Sequence, residues 1–478
     1  MKHVIGRKEE IRQLSEYAAS DKAEFLVVYG RRRIGKTFLI KQFFDEKFTF
    51  YFSGAENATK KDQLFNFAAA LHEYSGEKRP FPNDWKIAFL QLKEYLQTVK
   101  TKGRKVIFID EMPWLDNAKS GFLSAFEYWW NTFASSKNDI FLIVCGSSTS
   151  WLIEKILQNK GGLHNRVTRQ IALKPFNLNE TEQFIKTKGL KLSRLQIAEC
   201  YMIMGGIPYY LEQLQKQFSL EQNIDNLFFK KNGILRDEFS KIYNSLFKYP
   251  EKYKQIIEIL SQRKRGLLRE EIVTISKIPD GGGLTTILEE LEQCGFITIN
   301  NNYTTPHTNK LYQLTDFYSM FYIQFIKDKK ITDKSFWTNL INTPSRNTWS
   351  GFTFEILCQS HIEQIRKKLG IGGVITYTYS WKSKQNKEEN NTDNVQIDLI
   401  LERADNLINI CEMKFSRSEY VITKEYDNKL QNKVWTFVEE SKTDKAIHLT
   451  MITTKGLKHN TYWNNIQSEV TLDDLFEL

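Results

Sequence analysis

One stretch, Gly30-Arg31-Arg32-Arg33-Ile34-Gly35-Lys36-Thr37, constrains this chain more than any other part of it. It follows a short apolar run, Phe25-Leu26-Val27-Val28-Tyr29, and precedes a segment of helical character, Phe38 to Phe44. G-x-x-x-x-G-K-[ST] between a strand and a helix is the pattern of a loop that wraps its backbone N–H groups around phosphate. The glycines let the backbone turn inward, and the helix N-terminus adds unpaired donors and partial positive charge. Lys36 is then expected to reach the β- and γ-phosphates of a nucleotide, and the Thr37 hydroxyl to ligate Mg2+. Gly30, Arg33, Ile34, Gly35, Lys36, Thr37 and Phe38 form the expected cofactor-binding loop, with ATP as the ligand.

A second apolar run, Val106-Ile107-Phe108-Ile109, ends in Asp110-Glu111. An acidic pair at the end of a buried strand, downstream of such a loop, suits the sheet edge where nucleotides bind. Asp110 is expected to hold the metal through water, and Glu111 to orient and deprotonate the attacking water. A third run, Phe141-Leu142-Ile143-Val144, leads into Cys145-Gly146-Ser147-Ser148. Ser147 is the candidate sensor of the γ-phosphate or attacking water, with Ser148 as the alternative and an ordinary strand-end turn as the plain reading. Short runs apolar on both faces, separated by amphipathic stretches such as Ala88 to Val99, indicate a covered parallel sheet over residues 1–175.

Further along, residues 176–247 show helical periodicity and few strand signals. Residues 248–310 carry helical stretches around a Gly281-Gly282-Gly283 break, then a strand and turn, Phe296 to Tyr303. Residues 311–345 read as a helical connector, with a boundary at Thr343-Pro344-Ser345. Residues 346–478 read as a second α/β unit, interrupted by a polar insertion from Lys382 to Asn394 that is expected to be an exposed loop.

Composition narrows the partners. The 478 residues carry a formal net charge of +10 and a sequence pI of about 9.0, which favours anionic ligands, nucleotide and nucleic acid first. The 5 Cys are scattered without a CxxC spacing and the 7 His include no HxxxH pair, so neither a disulfide framework nor a zinc site is expected. The N-terminal Met1-Lys2-His3-Val4-Ile5-Gly6-Arg7 lacks the apolar core of a signal peptide, and no apolar run is long enough to span a bilayer. A cytoplasmic protein with no membrane partner is expected.

These residues carry a family resemblance. Val4 to Glu10, the Gly30–Thr37 loop, Ile109-Asp110-Glu111, Cys145 to Ser148, Leu163-His164-Asn165-Arg166, Ile171 to Phe176 and Gly205-Gly206-Ile207-Pro208 resemble the archaeal-type ATPases, relatives of the AAA+ and STAND classes. The resemblance implies that Gly6 and Arg7 lie near the adenine. It implies that Arg166 serves as an arginine finger in a neighbouring subunit of a homo-oligomer. Pro208 would sit in a helical lid, residues 176–247, against the nucleotide. A separate sensor arginine in that lid is not evident.

Residues 253–304 are similar to a winged helix-turn-helix, with helices at Tyr253 to Gln262, Arg269 to Ile275 and Leu284 to Cys294 and a wing hairpin at Ile297 to Thr304. Arg263, Lys264, Arg265 and Arg269 supply positive charge, whereas Glu289, Glu290 and Glu292 make the third helix acidic. In the last unit, Asp398 on a strand candidate precedes Glu412 and Lys414, which share one face of the next strand. This D…E-x-K arrangement resembles the PD-(D/E)xK, or restriction-endonuclease-like, fold, with Ile397 where a proline is common. There Asp398 and Glu412 would hold Mg2+ and Lys414 would orient water and offset phosphate charge. Glu355 would add a carboxylate, and Gln431 and Lys433 lie on a helix beyond. The expected whole is a multidomain α/β protein: P-loop parallel sheet, helical lid, winged helix, connector and nuclease-like domain. Its expected function is ATP hydrolysis directed at DNA, with Mg2+-dependent DNA cleavage at the last domain. The alternative is an ATP-dependent switch that recruits a protein partner through a non-cleaving nuclease-like domain.

Overall fold

The computed structural model describes residues 4–117, 119–263, 266–305, 310–329, 333–383 and 395–477. Lys264, Arg265 and nearly all of the polar insertion, residues 384–394, lie outside the described residues, as do Met1 to His3. The chain divides into two compact units, residues 1–175 and 176–478.

The first unit is built on five parallel strands: β1 (Glu24–Tyr29), β2 (Phe50–Ser53), β3 (Lys105–Asp110), β4 (Ile140–Cys145) and β5 (Arg169–Ala172). Their order is β2-β3-β4-β1-β5. The central strands β1 and β4 are buried almost end to end, which explains why they are uniformly apolar. Helices Lys60–Ser75, Trp85–Thr98 and Phe122–Thr132 bring Phe67, Trp85, Phe89, Phe122, Phe126 and Trp130 onto Phe25 and Phe50 in one core. Arg104, at the entry to β3, donates to the carbonyls of Tyr17 (3.2 Å), Ser20 (2.7 Å), Lys22 (2.5 Å) and Ile140 (2.5 Å), pinning the base of the sheet.

The second unit begins with helices Leu178–Thr187, Arg194–Met204, Pro208–Glu212, Leu220–Ile224 and Glu238–Leu246. Helices Pro250–Ser261, Arg269–Ser276 and Gly282–Gln293 follow, packed with the antiparallel strands β6 (Leu267–Leu268), β7 (Ile297–Asn301) and β8 (Lys310–Leu314) in the order β6-β8-β7. The return strand of this hairpin, β8, lies beyond Thr304, inside the segment read from sequence as connector. Helix Phe317–Phe325 comes only after it. Thr343-Pro344-Ser345 is a helix start: the Thr343 hydroxyl accepts from Arg346 N (3.4 Å), and Pro344 begins the helix Pro344–Ser360.

A mixed five-stranded sheet closes the unit: β9 (Thr376–Lys382), β10 (Gln396–Arg403), β11 (Leu407–Lys414), β12 (Ala446–Thr453) and β13 (Ser468–Thr471), in the order β13-β12-β11-β10-β9. β9, β10 and β11 are antiparallel, and β11, β12 and β13 are parallel. Helix Lys424–Ser441 lays Leu430 and Phe437 on Trp381, Ile400, Ile410 and Met451. Arg346, only 2% exposed, reaches Glu221 (3.3 Å) and Glu199 (3.8 Å) and stacks over Trp337 (4.5 Å), while Arg417 after β11 also reaches Glu199 (3.3 Å). Among the described residues no helix is long and apolar enough to cross a membrane.

Candidate functional site

Strand order creates the site in the first unit. Because β4 lies between β1 and β3, three neighbouring carboxyl ends open on one sheet edge. They carry the Gly30–Thr37 loop, the Cys145-to-Ser147 turn, and Asp110 with Glu111. Gly30 has φ 138°, and a Cβ there would lie 2.3 Å from the Leu173 carbonyl oxygen, so only glycine fits. Arg33 (φ 75°) and Gly35 (φ 88°) are left-handed, which turns successive backbone N–H groups toward one concavity. The loop feeds the helix Lys36–Phe43, whose Leu39 and Ile40 are buried beside the sheet. Ile34 is buried, and Phe38 stands half-exposed on the helix.

The side chains meet in a short chain of bonds. Lys36 Nζ donates to the carbonyls of Gly30 (2.8 Å) and Arg31 (3.0 Å), folded over its own loop. Thr37 Oγ1 donates to Asp110 Oδ2 at 2.8 Å. Asp110 Oδ1 accepts from Glu111 N at 2.9 Å and from Cys145 Sγ. Glu111, left-handed at φ 45°, turns its carboxylate to Ser147, whose backbone N and Oγ both donate to Oε2 at 2.9 Å. Close backbone approach makes this possible: a Cβ on Gly146 would sit 2.4 Å from Pro113 Cδ, and one on Gly54 2.6 Å from the Glu111 carbonyl oxygen. Burial, and then the Asp110 carboxylate, push the Cys145 thiol well above its ordinary range.

Arg7, left-handed at φ 55° after Gly6 (φ 65°), is buried and donates to the Ile34 carbonyl (3.3 Å) and to Glu10 (3.4 Å), tying the N-terminal segment to the loop. Arg166 is exposed on the turn after Leu163. Pro208 lies in the second unit, starting the helix Pro208–Glu212 after the left-handed Gly205 and Gly206.

The oxygen donors Thr37 and Asp110 suit Mg2+, a hard cation that takes one or two protein oxygens and fills its sphere with phosphate and water. Among the described residues no group of three His, Cys, Asp or Glu side chains is placed to hold a metal ion.

In the second unit, Leu399 of β10 faces Cys411 of β11, so Asp398 and Glu412 are the next residues on the two strands. The β9–β10 register shifts between Ile397 and Ile400, the stretch that holds Asp398. Gln396 Nε2 donates to Asp398 Oδ1 (2.7 Å). Glu412 is held from three directions: Lys414 Nζ (2.8 Å) and Tyr426 Oη (2.6 Å) reach Oε1, and Lys433 Nζ reaches Oε2 (2.7 Å). Burial alone would raise the Glu412 carboxyl, but Lys433 and Lys414 together hold it down at about 2. Burial and the neighbouring Asp398 push Glu355 up to about 8, against the pull of Lys414 and Lys433. Both Glu412 oxygens are thus engaged by ammonium groups and a phenol, which a divalent cation would have to displace.

Sequence reasoning did not assign a role to three of these residues. Cys145 was visible only as part of a strand end. Lys433 and Tyr426 come from a helix after β11 at no fixed spacing from Glu412, so nothing in the sequence marks them as its partners.

Residues 5–214 match the family described as an ATPase domain predominantly from Archaea. The chain is 28% identical over 367 residues, 76% of its length and 78% of the relative's, to an uncharacterized protein of Methanocaldococcus jannaschii. A stretch of 43 residues, 9% of the chain and 73% of the relative, is 46% identical to an uncharacterized ATP-binding protein of the same archaeon. Among solved structures, a Walker-type ATPase of Pyrococcus abyssi is similar at 16% identity and a TM-score of 0.49, over 68% of this chain and 97% of that one. By the family match, the first part of the chain is an ATPase domain of archaeal type, built on a parallel sheet and followed by a separate mixed sheet.

Proposed function

We propose that this chain is a magnesium-dependent ATPase whose nucleotide cycle acts on DNA. One observation carries the catalytic half: Thr37, Asp110, Glu111 and Ser147, from the ends of three strands, meet at one sheet edge through bonds of 2.8 to 2.9 Å. In this reading the Gly30–Thr37 backbone cradles the phosphates of ATP, with Gly6 and Arg7 toward the base. Thr37 and Asp110 would hold Mg2+, which supplies positive charge to the phosphate oxygens. Lys36 would exchange the Gly30 and Arg31 carbonyls for phosphate oxygens. Glu111, oriented by Ser147 through Oε2, would accept the proton of the water that attacks the γ-phosphorus while the bond to the bridging oxygen breaks. Arg166, being exposed, would complete the site of a neighbouring copy in a homo-oligomer, and Pro208 would close a lid on the nucleotide.

The DNA half rests on charge and on the second unit. The net charge is +10. Helices Pro250–Ser261, Arg269–Ser276 and Gly282–Gln293 with the β7–β8 hairpin suit a winged helix. The Asp398, Glu412 and Lys414 constellation suits a nuclease-like domain in which Asp398 and Glu412 take Mg2+. Against close groove contact, Arg269 is engaged by Asp280 (2.7 Å) and Thr285 (2.9 Å), and the third helix carries Glu289, Glu290 and Glu292. A second reading, an ATP-dependent switch that recruits a protein through a non-cleaving domain, is favoured by the Lys414–Glu412–Lys433 clamp. Cleavage would require Lys433 to leave Glu412 first.

Steady-state ATP hydrolysis with and without DNA, with end-labelled DNA in the same reactions, separates the two. DNA-stimulated turnover abolished by Lys36→Ala, with cleavage lost in Asp398→Ala while turnover persists, supports an ATPase and nuclease in one chain. Slow turnover indifferent to DNA, with the DNA intact, supports the switch.

A further inference from the structure

Asp110 stands at the end of β3, 3% exposed, and its carboxylate is bounded on two sides. Oδ2 takes the Thr37 hydroxyl at 2.8 Å. Oδ1 takes the Glu111 backbone N–H at 2.9 Å and the Cys145 thiol at 2.6 Å. Cys145 is the last residue of β4, fully buried, on the strand that separates β1 from β3. A buried cysteine ordinarily serves as a small apolar filler. Cys200 and Cys411 do so here: their sulfurs approach Met204 Sδ and the Asn409 carbonyl only to 3.9 Å. Cys145 differs in facing a carboxylate from an adjacent strand.

We infer that Cys145 is a positioning residue for the ATPase site, its thiol fixing the inner oxygen of Asp110 so that the outer oxygen stays aimed at Thr37 and at the cation the pair would hold. The inference rests on the nucleotide-site reading proposed above. A carboxylate turns about its Cβ–Cγ bond, and the Glu111 N–H alone restrains Oδ1 from one direction. The thiol supplies the second restraint, from β4. Sheet order makes this contact possible: with β1 directly beside β3, as the chain order of the motifs would allow, no β4 side chain would reach Asp110.

The test compares Cys145→Ser, which keeps a donor, with Cys145→Val, which fills the space without one. Binding of a fluorescent non-hydrolysable ATP analogue is titrated against Mg2+ and repeated with excess chelator, and thermal unfolding of each variant without nucleotide controls for folding. Cys145→Val is expected to need about three- to ten-fold more Mg2+ for half-maximal binding, the effect of one lost hydrogen bond from a weak donor. Its affinity for the analogue in chelator should be unchanged, and Cys145→Ser should stay within about two-fold of wild type. Equal Mg2+ requirements in Val and wild type overturn the inference, as does a parallel loss in chelator, which marks a packing role. Wild-type protein that binds no analogue at all removes the nucleotide-site reading itself.

Discussion

Glu111 accepts two hydrogen bonds from one residue: the backbone N and the Oγ of Ser147 both lie 2.9 Å from its Oε2. The carboxylate expected to handle the attacking water is thus oriented by the end of the neighbouring strand through Oε2. Ser147→Ala removes the hydroxyl bond and leaves the N–H in place. Turnover is expected to fall about ten-fold, with the KM for ATP within about two-fold, because the lost bond aims the base and does not hold the nucleotide. Steady-state kinetics reads both numbers.

Gly146 allows that approach. A Cβ there would meet Pro113 Cδ at 2.4 Å and Cγ at 2.8 Å, both atoms of a rigid ring. Gly146→Ala must push the β4 end from the turn after β3, and is expected to cost about 1–3 kcal/mol of stability. Thermal unfolding should show the loss, with a larger fall in turnover than in Ser147→Ala.

Two carboxyl groups of the C-terminal centre, Glu355 and Glu412, respond to pH in opposite directions. Burial and Asp398 raise Glu355 to about 8 in the folded chain. Its contribution to stability is full below the unfolded carboxylate range and is lost as pH rises toward 8. Wild-type stability should therefore decline from about pH 5 to 8. Glu355→Gln should flatten that slope, which a series of melting temperatures across the range would show.

Glu412 is the reverse case. The lysines hold it at about 2, so its contribution is present above the unfolded range and vanishes as pH falls through that value. Lys433→Met leaves Lys414 as the only ammonium group of the clamp and should raise the Glu412 carboxyl. Acid unfolding of the variant is expected at higher pH than in wild type, with stability at neutral pH also reduced.

Arg346 holds Glu221 and Glu199 while itself 2% exposed. Arg346→Met would leave Glu221 without that partner and Glu199, which burial already raises, with Arg417 alone. Stranding buried charge in this way costs about 3–5 kcal/mol, and denaturant unfolding should show a loss of that size.

The nucleotide loop and the Asp110-Glu111 strand end were legible because their chemistry demands fixed residue types next to buried, uniformly apolar strands. β2 and β5 were not. Each has four residues and part-exposed positions, and Arg169-Gln170-Ile171-Ala172 has only Ile171 buried, so no apolar run marks it. The Cys145–Asp110 contact depends on β4 lying between β1 and β3, an order that no local pattern encodes. β8 escaped because the hairpin returns well past Asn301, and Lys310-Leu311-Tyr312-Gln313-Leu314 passes for the start of a helix. In the C-terminal sheet, β11 and the Glu412–Lys414 face were readable from the two-residue period. Lys433 was readable only as a residue on a helix beyond the site; its pairing with Glu412, and that of Tyr426, became visible once helix Lys424–Ser441 was placed.

The central claim is that Glu111 is the base of an ATP-hydrolysing site, and Glu111→Gln tests it most directly. The variant keeps the size and the acceptor oxygen that Ser147 holds, so binding of a non-hydrolysable ATP analogue with Mg2+ should match wild type. Its single-turnover hydrolysis should fall about 100-fold or more, the scale of a lost general base. Hydrolysis at the wild-type rate in a variant that binds nucleotide normally would contradict the account.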